Sequence, residues 1–175
     1  MGNMRNLIKE MLDDYFAAFT AEIGRPPRAV RTKEKVRPVI DAPIGCFGYW
    51  HPELASEDYS QADYEFLYGE KLPCDLYEYL RYWRFAQAEL TYNGYLCCLN
   101  GLFEDENGKL FPPFSFVVKN QLYFKIGTTK HPESGAHYTI AVGDVGVCLS
   151  EDGTEDIYFL AHSISEFLNG RMKNA

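Results

Sequence analysis

Hydrophobic positions along the chain keep a helical spacing near both ends and a spacing close to two between them. Leu7, Ile8, Met11, Leu12, Tyr15, Phe16 and Phe19 fall on one broad apolar face, which predicts a first helix. It should stop near Gly24, where GRPP removes donors and blocks continuation. A basic connector follows to Arg37, and PVIDAPIGCFGYWHP then reads as irregular extended chain or edge strands. Residues 53–70 are acidic with embedded aromatics, which suggests a short helix within a loop. Leu76, Tyr79, Leu80 and Trp83 recur at i, i+3, i+4 and i+7, so YGEKLPCDLYEYLRYW predicts a further helix with that stripe buried. Pro73 suits its first turn. Asp75 and Glu78 lie near its positive end, where negative charge is favoured by about 0.3–1 kcal/mol. Tyr77 and Tyr82 lie off the stripe and are expected to be exposed.

From Ala88 onward the period shortens. AELTYNGYLCCLN reads as one strand, or as a hairpin turning at Asn93–Gly94. PPFSFVVKNQLYFKIG reads as two strands joined at Lys119–Asn120, and HYTIAVGDVGVCLS with EDIYFLA gives two or three more. Ser163-Ile-Ser-Glu166 is a capping box before a short last helix, and Asn169–Gly170 supplies its stop. The expected fold is α+β: N-terminal helices packed on a mostly antiparallel meander sheet, with a short C-terminal helix. Without an internal repeat or linker, residues 1–175 read as a single domain.

Charge changes the picture more than composition does. The chain carries a net charge of −8, unevenly spread. Residues 51–80 hold Glu53, Glu57, Asp58, Asp63, Glu65, Glu70, Asp75 and Glu78 against Lys71 alone, a net −7. Residues 25–37 hold Arg25, Arg28, Arg31, Lys33, Lys35 and Arg37 against Glu34, a net +5. Two solvated segments on opposite faces would explain this; so would an acidic surface that steers a basic partner. Nucleic acid is disfavoured, because phosphate contacts need a larger cationic groove than one short loop. Aromatic content is high, at 15%, which suits a full core or an interface. Five cysteines without a CxxC pair, and no recognisable signal peptide, point to reduced thiols and a cytoplasmic protein. No apolar run approaches the roughly 18 residues of a membrane span.

Motifs of catalysis are sparse. There is no P-loop, Rossmann glycine triplet, HExxH or GxSxG. His51, His131, His137 and His162 are scattered, and only His131 and His137 share an expected loop, a weak basis for a metal site. A cysteine nucleophile with a histidine partner stays open as an alternative, although buried inert thiols are commoner. Paired carboxylates abound in 53–78, but nothing marks one as a general acid. Catalysis thus has no positive support in the residues, and no cofactor or metal is expected.

Several motifs, taken in order, resemble one family. They are LDDYFAAFTAEIGRPP; Tyr49-Trp50 followed by Pro52 and the acidic stretch; Leu72-Pro73 opening a helix that runs into RFAQAELTYNGYLCCL; FSFVV after Pro112-Pro113; and the closing LAHSISEFLNG. Together they resemble the SUKH superfamily of small bacterial α+β proteins, nearest its Syd branch. The connector RPPRAVRTKEKVR and residues 102–109 depart from that pattern, and the connector could neutralise part of an acidic face. The resemblance implies a binding protein rather than an enzyme. The wider superfamily consists largely of immunity proteins that block toxins, many of them nucleases. Syd itself contacts cytosolic loops of the SecY translocation channel through an acidic concave surface. Either target is basic. The resulting expectation is a partner-binding surface of Glu53, Glu57, Asp58, Asp63, Glu65, Glu70, Asp75 and Glu78, with Tyr49 and Trp50 as aromatic anchors at its edge. A regulatory or structural domain with no ligand on that face is the blander alternative.

Overall fold

The computed structural model describes residues 3–172. Helix α1 (Met4–Ile23) follows the apolar spacing and buries Met4, Leu7, Ile8, Met11, Leu12 and Tyr15. Asn3 caps it by accepting from the Arg5 N–H, and Gly24 ends it at φ +79°, a left-handed conformation that glycine adopts without strain. The basic connector is not all loop. Strand β1 (Arg28–Val30) pairs antiparallel with β2 (Phe47–Tyr49) in a small two-stranded sheet. Next come β3 (Glu53–Leu54), α2 (Gln61–Tyr68) and α3 (Cys74–Arg81).

Helix α3 bears out part of the expected stripe and corrects the rest. Leu76, Tyr79 and Leu80 are buried, but the helix ends at Arg81 and Trp83 opens the next strand. Trp83 is half-buried, and its indole N–H donates to the Arg5 carbonyl at 2.9 Å. Tyr77, expected on the outside, is only 9% exposed. Helix α2 folds back on α3 and covers that second face: Tyr64 packs 6.0 Å from Tyr77, whose hydroxyl donates to the Tyr59 carbonyl. Pro73 takes the N-cap position itself, one residue earlier than expected.

The remaining strands are β4 (Trp83–Tyr92), β5 (Tyr95–Leu102), β6 (Ser115–Val118), β7 (Gln121–Lys130), β8 (His137–Gly143), β9 (Gly146–Glu151) and β10 (Ile157–Ala161), and α4 (Ile164–Asn169) closes the fold. The main sheet runs β10-β9-β8-β7-β5-β4-β3, and every ladder in it is antiparallel. Asn93 (φ +48°) and Gly94 (φ +83°) make the expected β4–β5 hairpin, since both central residues of such a turn need positive φ. Lys119 and Asn120 do the same for β6–β7. The meander is interrupted once. β7 pairs with β5 along residues 127–130 and with β6 along residues 121–124, so both strands share one edge of β7.

A continuous buried cluster joins the apolar face of α1 to Leu90, Leu99, Ile140 and Leu149 of the sheet and to Phe167 of α4. A smaller cluster of Tyr123, Ala141 and Cys148, covered by Phe116, Val118 and Ile157, lies apart from it. Helix α4 is held by the cap read in the sequence: the Ser163 hydroxyl accepts from the Glu166 N–H at 2.9 Å, and the Glu166 carboxylate accepts from the His162 N–H at 2.6 Å. Ser163→Ala should therefore cost about 1 kcal/mol. A urea midpoint equal to that of the native protein would show that the cap carries no weight.

Candidate partner-binding surface

The acidic run does not form one free face; most of its carboxylates are occupied by their own surroundings. Ser60 and Asp63 build a reciprocal capping box at the start of α2, and these hydrogen bonds hold the Asp63 carboxyl below its usual range. Glu65 accepts from the Leu72 N–H at 3.0 Å and from Gln61, fixing the turn between α2 and α3 and lowering its own pKa. Asp75 points inward and accepts from the Ile164 N–H, so it helps join α3 to α4; burial raises its pKa despite that bond. Glu53 accepts from Arg37 at 3.4 Å and from the Val39 N–H. Asp58 and Glu78 both grip Arg81, whose guanidinium lies 5.0 Å from the Tyr77 ring centre and 4.9 Å from that of Tyr82. Glu57 and Glu70 are exposed and form no ion pair among the described residues.

The concave feature beside this run holds about 280 Å3 and is of mixed charge. Glu57 and Asp58 line it with Ser56, Tyr82 and two cations, Arg5 and Arg81. The two aromatic anchors part company. Tyr49 is 44% exposed on β2, whereas Trp50 is 1% exposed, packed edge-on against Phe16 at 4.9 Å between ring centres. Trp50 is a core residue and is withdrawn as an anchor. The neighbouring Tyr49 side chain points away because alternate residues of an extended segment face opposite sides.

Behind the acidic run sits an ionic centre that charge counting could not locate. Arg84 of β4 and Glu104 are both 0% exposed, with Arg84 Nε 3.0 Å from Glu104 Oε2. Arg84 also donates to the carbonyls of Leu80 and Trp83 and to the Tyr64 hydroxyl. Glu104 accepts in turn from the Ser56 N–H and from Arg37. Arg37 thus links Glu104 to Glu53, so the basic connector does neutralise one end of the acidic segment.

A second concave region lies at the far end of the main sheet. It holds about 380 Å3 and is lined by Asn93, Tyr95, His131, Tyr138, Leu149, Tyr158, Phe159 and Leu160. Tyr138 and Glu151 are directly opposed across β8 and β9, and Tyr158 opposes Leu149 across β10. The Tyr158 hydroxyl donates to Glu151 Oε2 at 3.4 Å. Partial burial, then the Glu151 charge, raises the Tyr138 phenol, so that hydroxyl keeps its proton. Beyond Glu151 the β9–β10 turn carries Asp152, Glu155 and Asp156, and none of the four forms an ion pair among the described residues. Sequence reading passed over this place. Its signal was the alternation in HYTIAV and EDIYFLA, which becomes a site only once the register sets Tyr138 and Glu151 opposite each other.

The more enclosed thiols are not activated. Burial pushes the Cys97 thiol up to about 11 and raises Cys98 and Cys148 as well, the opposite of an activated nucleophile. His131 Nδ1 accepts from the backbone N–H groups of Glu133 and Ser134, a loop-fixing role. Among the described residues no three His, Cys, Asp or Glu side chains converge as metal ligands, and no helix is long and apolar enough to cross a membrane. No protein-family model and no curated protein matches the chain.

Proposed function

We propose that this chain is a non-enzymatic binding protein for a basic protein partner, an immunity-type member of the SUKH superfamily that occupies a toxin domain and so neutralises it. The observation that carries the reading is the β9–β10 turn, where Glu151, Asp152, Glu155 and Asp156 crowd six residues and, among the described residues, no cation is paired to them. Carboxylates left unpaired by the fold, on a chain of net charge −8, supply the field that steers a cationic surface. Glu57, Glu70 and the exposed Tyr49 extend the set of groups open to such a partner. The acids bound into caps and turns hold the fold together instead.

Binding of this kind weakens with salt, because exposed charges are screened beyond ~8 Å at physiological ionic strength. Association with a polylysine peptide, followed by calorimetry between about 50 and about 500 mM salt, should weaken at least tenfold. A flat response would remove the electrostatic basis of the reading. Protection of cells that co-express a basic toxin encoded beside this gene would establish the immunity role. Binding to synthetic SecY loop peptides without such protection would favour the translocon alternative.

A further inference from the structure

We infer that the cleft of Tyr95, His131, Tyr138 and Tyr158 is a receptor for a single lysine or arginine side chain, presented by the basic partner. This rests on the reading above and assigns its recognition point to a place outside the 53–78 segment. The argument begins with ring geometry. Tyr138 and Tyr158 meet at 6.0 Å between centres and 83°, and Tyr95 and His131 at 5.7 Å and 74°. Each pair makes a corner, with one ring presenting its face where the other presents its edge. A cation over an aromatic face is attracted by the ring quadrupole, and the attraction grows as water is excluded.

Charge agrees with shape. Among the described residues no Lys or Arg lines the cleft. Glu151 borders the cleft rather than lining it: it stands cross-strand to Tyr138, and among the described residues the one side-chain hydrogen bond it receives is the long one from the Tyr158 hydroxyl. A carboxylate has capacity for several donors, so Glu151 keeps room for an ammonium or guanidinium group. Leu149 and Leu160 give the cleft an apolar floor and side, suited to the methylene stem of a long basic side chain, which buries its carbons while its charge meets polar groups. A neutral apolar or proline-rich peptide would use the rings but leave Glu151 without a partner, and a negatively charged ligand would face Glu151 and the acidic turn directly.

The test uses the native protein and three capped tripeptides: Gly-Lys-Gly, Gly-Arg-Gly and the neutral Gly-norleucine-Gly. Binding is read from the aromatic NMR resonances of Tyr95, Tyr138 and Tyr158. The lysine or arginine peptide should shift all three saturably with a Kd of about 1–10 mM, and norleucine should bind at least about tenfold more weakly. Glu151→Gln keeps an acceptor for Tyr158 but removes the charge, and should weaken the cationic peptide about tenfold. Equal shifts from norleucine, or cationic peptides that leave the three tyrosines unmoved, would overturn the inference. Unchanged affinity in Glu151→Gln would overturn it too. If polylysine still binds salt-sensitively while these tyrosines stay still, the cleft fails and the binding role stands. If polylysine does not bind at all, the broader reading fails first.

Discussion

Glu104→Gln should lower the unfolding free energy by about 3–5 kcal/mol, the cost of leaving a buried charge without its counterion. Arg84 and Glu104 are fully enclosed, so neither can recover its hydration when the other is neutralised. Glutamine keeps the shape and one acceptor, and therefore isolates charge from packing. Arg84 would retain its bonds to the Leu80 and Trp83 carbonyls and to Tyr64, but these are dipoles facing a full charge. The loss is a large share of the 5–15 kcal/mol that holds a typical domain together. Arg37→Ala should cost far less, about 1 kcal/mol or below, because Arg37 is 39% exposed and its contacts to Glu53 and Glu104 are long. The double change Arg84→Met with Glu104→Leu should recover most of the lost stability, since an apolar pair of similar volume often replaces a buried ion pair without loss. Urea unfolding of the four proteins decides the matter. A Glu104→Gln midpoint close to that of the native chain would mean that water reaches Arg84.

That ionic centre also shows where sequence reading stops. Local rules placed α1, the Asn93–Gly94 and Lys119–Asn120 turns and the Ser163 cap, because each is decided by residues close together in sequence. They placed Leu76, Tyr79 and Leu80 in the core for the same reason. Tyr77 was misplaced because a single amphipathic stripe assumes one partner, whereas α3 packs against α1 and α4 and also against α2. Trp83 was carried one turn too far along the helical period, across the point where the chain changes to a strand. The candidate surface failed in a related way. Adjacent acids in sequence look like a patch, yet Asp63 and Glu65 turn back on their own helix and Asp75 turns inward to α4. Arg84 and Glu104 find each other across twenty residues of chain, and Tyr138 and Glu151 across a strand register. The first meeting has no local signature, and the second shows locally only as strand alternation, which does not fix the register.

Trp50→Ala should remove about 3–5 kcal/mol, the range for truncating a large buried aromatic. Each kcal/mol moves the melting temperature of a chain of this size by about 2–4 °C, so the shift should be about 6–20 °C. The ring lies under Phe16 of α1 within the buried cluster, and loss of its volume leaves a cavity that the close-packed surroundings fill only in part. Trp50→Phe should cost only about 1–2 kcal/mol. The indole N–H has no hydrogen-bond partner among the described residues, so phenylalanine gives up area and shape but no polar contact. Tyr49→Ala, half-exposed on β2, should cost about 0.5 kcal/mol or less. The three variants separate structure from recognition. If Trp50 is wholly a core residue, Trp50→Phe binds polylysine as the native protein does while melting earlier. Tyr49→Ala, by contrast, melts normally and loses affinity only if Tyr49 touches the partner. A Trp50→Phe protein with native stability and weakened binding would return Trp50 to the surface and reverse the assignment made from its burial.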